Sequence, residues 1–187
     1  MRNSISASAL SEFVNEVRER PEEGALSYGI RLAWESGTRS QVEAKTMTIG
    51  PHRVSRSFNW KVDEPRQLAG TNHAPNPQEY LLSGLGACIM VSFLAGASAM
   101  GIQVETLEVE IDGDLDLRGF LGLETDKPTG LSGIRYHIAV SGNATPEQFE
   151  ELRRRAIAHS PNANTLAHGV PIEGDLTVGR ARQACGT

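Results

Sequence analysis

The chemistry-bearing residues of this chain begin with its two cysteines, Cys88 and Cys185. A thiol attacks as the thiolate, which a neighbouring cation favours. Once oxidised to a sulfenic acid, it must be trapped by another thiol or it risks irreversible over-oxidation. Two cysteines make neither a disulfide framework nor a four-ligand zinc site of the usual spacing. The histidines His52, His73, His137, His159 and His168 show no HxxxH or HExxH spacing, so no metal is expected. No cofactor is expected either. Arg118-Gly119-Phe120-Leu121-Gly122 lacks the lysine and the strand-to-helix setting of a phosphate loop, and no Gly-x-Ser-x-Gly elbow occurs.

Cys88 belongs to the strongest helix signal in the chain. Asn76 suits the N-cap, Pro77 the first helical position and Glu79 the third, a capping-box pattern. The helix is expected to run to about Met100, where Gly101 ends it. Its many Gly, Ala and Ser residues let other elements approach closely. Without further context Cys88 reads as a small apolar residue filling a helix contact. Cys185 lies in a Gly-, Ala- and Arg-containing tail.

Around that helix the sequence predicts an α+β arrangement. Ala9–Arg20 reads as an amphipathic helix capped by Ser8 and stopped by Pro21. Three strands follow between residues 26 and 60, with turns at Glu35-Ser36-Gly37-Thr38 and Gly50-Pro51, as an antiparallel meander. Asp63–Pro77 is a loop. After the long helix come strands at Leu107–Leu117, with a possible bulge at Gly113, and at Ile134–Val140. Thr145-Pro146-Glu147-Gln148 opens a second helix to about Ala158. Asn164–Ala167 is a short helical remnant, and Val170–Val178 a final strand. Residues 1–24 are read as a helical appendage and 25–187 as one domain.

The formal net charge of -5 and the scattered basic residues argue against nucleic acid as a partner. Arg153-Arg154-Arg155 reads as a solvated helix face. The start lacks a signal-peptide pattern, and the apolar stretch at residues 81–100, interrupted by Gly and Ser, reads as a buried helix and not a membrane span. The expected location is the cytoplasm.

The run Asn76-Pro77-Gln78-Glu79-Tyr80-Leu81-Leu82-Ser83-Gly84-Leu85-Gly86-Ala87-Cys88 resembles the OsmC/Ohr family pattern of Asn-Pro, acidic residues, an apolar helix and a cysteine about three turns on. Ser160-Pro161-Asn162-Ala163-Asn164-Thr165-Leu166, then Val170-Pro171-Ile172, resembles the family's second segment, which begins Cys-Pro. The resemblance implies an OsmC-like fold, antiparallel sheets wrapped round a long central helix, in an intertwined homodimer with active sites at the subunit interface. It also implies a stress-response role, with peroxidase activity on organic hydroperoxides. Cys88 matches the attacking cysteine, and Ser160 stands at the position of the resolving one. Gln78 stands at the position of the family's catalytic glutamate, with Glu79 one residue on. The family's arginine is best matched by Arg39, with Arg53 and Arg56 as competitors.

A serine forms no disulfide, so the cycle implied here uses one cysteine and an external thiol reductant. The other reading is a non-enzymatic dimer of the same fold that binds a small apolar molecule at its interface, with Cys88 structural. A third option, a hot-dog thioesterase, would need an acidic or histidine base facing an acyl groove, and none can be located.

Overall fold

The computed structural model describes residues 3–179, so Cys185 lies outside it. The order is α1 (Ala7–Glu19), a 3-10 turn (Pro21–Gly24), β1 (Leu26–Ser27), β2 (Ile30–Ser36), β3 (Arg39–Ala44), β4 (Met47–Ile49), β5 (His52–Val54) and β6 (Asn59–Val62). A 3-10 turn (Arg66–Leu68) leads to α2 (Pro77–Ala99), β7 (Val104–Leu115), α3 (Leu117–Phe120), β8 (Leu131–Gly142), α4 (Pro146–Ala158) and α5 (Pro161–His168). The α+β class is as expected.

α2 forms where its caps require. Asn76 Oδ1 accepts from the Glu79 N–H, and Glu79 Oε2 accepts from the Asn76 N–H, so two otherwise orphaned donors are satisfied. By length and composition α2 could cross a bilayer, but here it packs on β7, α4 and α5. Leu85, Ile89, Phe93 and Ala97 recur every fourth residue and form its buried stripe, with Leu152 and Ala156 of α4 and Ile102 beyond the helix end. Phe93 stacks on Phe149 with ring centroids 6.5 Å apart. The small residues of α2 permit this closeness: a Cβ on Gly96 would lie 3.2 Å from Leu152, and one on Gly86 3.2 Å from Ile111 of β7.

The predicted meander has the right partners but not the right continuity. Each of its three strands breaks once, giving two three-stranded antiparallel sheets, β1-β4-β5 and β2-β3-β6. The breaks fall at residues 28–29, 45–46 and 55–58, where the chain leaves one sheet for the other. The Lys45 N–H donates to Gly29 O and the Ala44 N–H to Phe58 O across the bend. The strand expected to span Val42–Thr48 is therefore β3 plus β4, and that expected at Val54–Trp60 is β5 plus β6.

Other boundaries also differ. α1 starts at Ala7 with Ser6, not Ser8, as its cap. β7 and β8 are both longer than expected and form one antiparallel pair. Gly113 sits in register opposite Ile134, and the irregularity falls one step on, between Asp114 and Leu115. α5 is a full helix from Pro161 instead of a remnant. Val170–Val178 is not a strand here. Among the described residues it has no ladder partner, and Ile172, Leu176 and Val178 are 96%, 85% and 83% exposed. Alternating apolar residues make a strand only when an edge is available to pair with, and this segment meets none among the described residues.

Candidate functional site

Cys88 is half-buried on α2, a free thiol. Among the described residues no hydrogen bond reaches its sulfur. The seam beside it is set by α5. Asn162 Nδ2 donates to Gly84 O at 2.8 Å, and Gly84 O is the carbonyl to which the Cys88 N–H points in a regular helix. The first turn of α5 thus abuts the turn of α2 that carries the thiol. A side chain at residue 84 would approach Asn162, since a Cβ there would lie 3.6 Å from Nδ2.

Ser160, at the position expected for a second thiol, is fully buried at the start of that helix. Its Oγ accepts from the Ala163 N–H at 3.2 Å, so it is the N-cap of α5. Ser160 therefore caps the helix whose Asn162 meets α2 at Gly84, one turn before Cys88.

The remaining candidates lie elsewhere. Gln78 is half-buried on the first turn of α2, ten residues and ~15 Å along the axis from Cys88. Glu79, nine residues and ~13 Å away, is exposed and occupied by the capping box. Arg39 opens β3, and its Nη2 donates to Ser36 Oγ at 2.8 Å. Thr38, Ser40 and Val42 line a cavity under α2, so strand alternation turns Arg39 to the opposite face. Arg53 is an exposed residue of β5, and Arg56 lies 4.6 Å over the Phe58 ring. Among the described residues no hydrogen bond or ion pair joins any of these arginines to Cys88.

Two carboxylates that sequence reasoning passed over organise the loop before α2. Asp63 is 1% exposed. It accepts from Thr38 Oγ1 at 2.7 Å, from the Thr71 N–H at 3.0 Å, from the His73 N–H at 3.1 Å and from Thr71 Oγ1. These donors, the Thr71 hydroxyl first, hold its carboxyl well below the usual carboxylate range despite burial. Glu64 is the converse. Burial first, then the charges of Asp63 and Glu79, push its carboxyl up, and among the described residues its buried Oε2 has no hydrogen-bond partner. The signal available in advance was the loop itself, a long stretch that needs an internal acceptor to satisfy its backbone donors.

A groove of about 510 Å³ runs along the outer side of the seam. Leu81, Leu85 and Ile89 of α2, Ile134 of β8, Ile157 of α4 and Leu166 of α5 line it. Tyr136 closes one side, with its hydroxyl accepting from Arg153 Nη1.

The OsmC-like protein family model matches residues 70–174, more than half of the chain. An OsmC-like protein from Mycoplasma pneumoniae superposes with a TM-score of 0.61 at 22% identity, over 76% of this chain and 89% of that one. An OsmC-like protein of unknown function from Vibrio cholerae gives 0.57 at 16%, over 74% and 92%. An organic hydroperoxide resistance protein OsmC from Legionella pneumophila gives 0.53 at 20%, over 76% and 90%. At these identities the likeness concerns the fold. No sequence match to a curated protein was found. The capped helix bearing Cys88, the Ser160 seam and the family match over residues 70–174 lead to one conclusion: the chain belongs to the OsmC-like family.

Proposed function

We propose that this protein is a cytoplasmic stress-response peroxidase that reduces organic hydroperoxides through Cys88 in a one-cysteine cycle, as a homodimer. The single observation that carries the reading is the seam: Cys88 and Ser160 occupy the two places where the family pattern sets its thiols, in adjoining helices, with only the first one a thiol. In the cycle the Cys88 thiolate attacks the outer peroxide oxygen and the O–O bond breaks. The alcohol leaves after gaining a proton, and the sulfur becomes a sulfenic acid. With a serine at 160, an external thiol takes the resolving step. It forms a mixed disulfide and releases water, and a second external thiol then frees Cys88.

Two features support the dimer. Ile172, Leu176, Val178 and the α2 residue Val91 leave large apolar surface exposed, which a soluble monomer rarely does. Cys88 also stands ~15 Å along α2 from Gln78 and has no contact with Arg39. A charged group from a second copy is the available route to activating the thiol.

The test is consumption of cumene hydroperoxide in the presence of a dithiol. Wild type is expected to turn over and to show a sulfenic acid at Cys88 when the reductant is withheld, whereas Cys88→Ser shows neither. Equal, slow consumption by both proteins refutes the reading.

The groove of about 510 Å³ favours a second reading, a non-enzymatic dimer that binds a small apolar molecule. It predicts saturable binding of an apolar fluorophore by wild type and Cys88→Ser alike, with no peroxide turnover by either.

A further inference from the structure

α5 meets the thiol-bearing turn of α2 through one side chain, Asn162. Its Nδ2 donates to Gly84 O at 2.8 Å. A carbonyl only accepts, so the NH2 end of the amide faces α2 and its oxygen does not. That group carries two hydrogens. Among the described residues Gly84 O takes one of them, and the other has no acceptor. Gly84 makes this approach possible, since a Cβ on residue 84 would lie 3.6 Å from Nδ2. Beyond its two chain neighbours, no other side chain of the described residues comes within 4 Å of that point. The space beside the amide is open.

Cys88 stands on the next turn of the same face, ~6 Å along the axis from Gly84. Helical side chains lean back toward the N-terminus, over the residues three and four before them. For Cys88 these are Leu85, which is buried in the core, and Gly84, which has no side chain. The sulfur therefore leans toward the gap that the Asn162 amide borders. A neutral thiol is a weak donor and a weak acceptor, so it makes little demand there. A thiolate is different. A charge half-buried in the seam needs a donor, and hydrogen bonds to charged groups are the strong ones. The first turn of α5, where the helix dipole favours negative charge, adjoins the same gap.

We propose that Asn162 holds the Cys88 thiolate, with one N–H on Gly84 O and the other on the sulfur after Cys88 turns about χ1. The bond to Gly84 fixes the donor in place before the charge forms, so little reorganisation is needed when it does. The proposal deepens the reading of Cys88 as the reactive thiol and rests on it. The amide is neutral, so it raises the share of thiolate without supplying a counter-charge, and it works alongside a cation from a second copy. A purely structural Asn162 would only dock α5 on α2. The two roles move the thiol in opposite directions. Losing a docking contact opens the seam and exposes the half-buried sulfur, whereas losing the donor leaves less thiolate to react.

The test is the rate at which iodoacetamide alkylates Cys88 at neutral pH, in the full chain with Cys185→Ser. Thiolate absorbance in the ultraviolet is the second readout. Asn162→Asp keeps the shape of the side chain, and an acidic residue suits the first turn of α5. Asn162→Leu removes the donor without adding a charge. Far-UV circular dichroism checks that each variant folds. Both are expected to alkylate about tenfold more slowly than the parent, and to show less thiolate absorbance. Unchanged or faster alkylation in the folded variants overturns the proposal. A rate lowered by Asn162→Asp alone is repulsion by the new charge, and overturns it too. Consumption of cumene hydroperoxide is scored separately. A parent that leaves the peroxide untouched while the variants alkylate slowly refutes the peroxidase reading and leaves the role of Asn162 standing.

Discussion

Replacing Ser160 by cysteine tests the seam on which the functional reading rests. The substitution has a cost: Ser160 Oγ caps α5 through the Ala163 N–H, and losing such a cap destabilises by about 1 kcal/mol. The thiol is also larger than the hydroxyl it replaces, in a site with no exposure. The reduced variant is therefore expected to unfold at slightly lower denaturant than wild type, with an unchanged slope. Oxidation reverses the order. A bond between residues 88 and 160 closes a long loop in the unfolded chain, worth about 4 kcal/mol in the chain-entropy estimate. Net of the lost cap, the oxidised form is expected to gain about 3 kcal/mol over wild type. One equivalent of organic hydroperoxide should remove two thiols per chain and leave an intramolecular disulfide detectable by non-reducing peptide mass analysis. If residues 88 and 160 stay reduced, or pair only between chains, the two helices do not bring these positions within disulfide reach, and the one-cysteine reading loses its structural basis.

Further predictions concern the loop before α2. Asp63 has its carboxyl lowered in the folded state, so the unfolded chain binds the extra proton as pH falls. Its stabilisation is present above the ordinary carboxylate range and is lost progressively below it. Asp63→Asn should accordingly lose stability at neutral pH and flatten the acid limb of a denaturation-against-pH profile. Glu64 has the opposite sign: its carboxyl is raised, the folded state holds the proton longer, and stability declines as pH rises through that window. Glu64→Gln should therefore raise the denaturation midpoint at neutral pH relative to wild type, and a fall there would refute the burial argument. Gly70→Ala places a Cβ against the Glu64 carbonyl. It should cost about 3 kcal/mol or more, read by urea denaturation.

The legible parts of the sequence were those with local causes. The caps of α2 and α4 lie within four residues of one another, Asn76 with Glu79 and Thr145 with Gln148, and both boxes form as read. The four-residue spacing of Leu85, Ile89, Phe93 and Ala97 carries the core stripe. The glycines of α2 mark the close approach of Leu152 and Ile111. The strand breaks near Gly29, Lys45 and Ser57 were not legible, because alternation continues across a bend and only the partner strands reveal which sheet each half joins.

The candidate site divides along the same line. Residue types alone determined that Cys88 is a thiol on a capped helix, that Ser160 cannot resolve it, and that Gln78 brings no charge. These are properties of side chains and local spacing. Tertiary structure alone decided that Asn162 of the helix capped by Ser160 meets the helix turn bearing Cys88, that Arg39 faces away from the cavity under α2, and that among the described residues Glu64 Oε2 is left bare while Asp63 is filled. Each of these depends on which distant backbone donors and apolar walls surround a group. Burial and pairing are properties of the packed chain, and no spacing along the sequence encodes them.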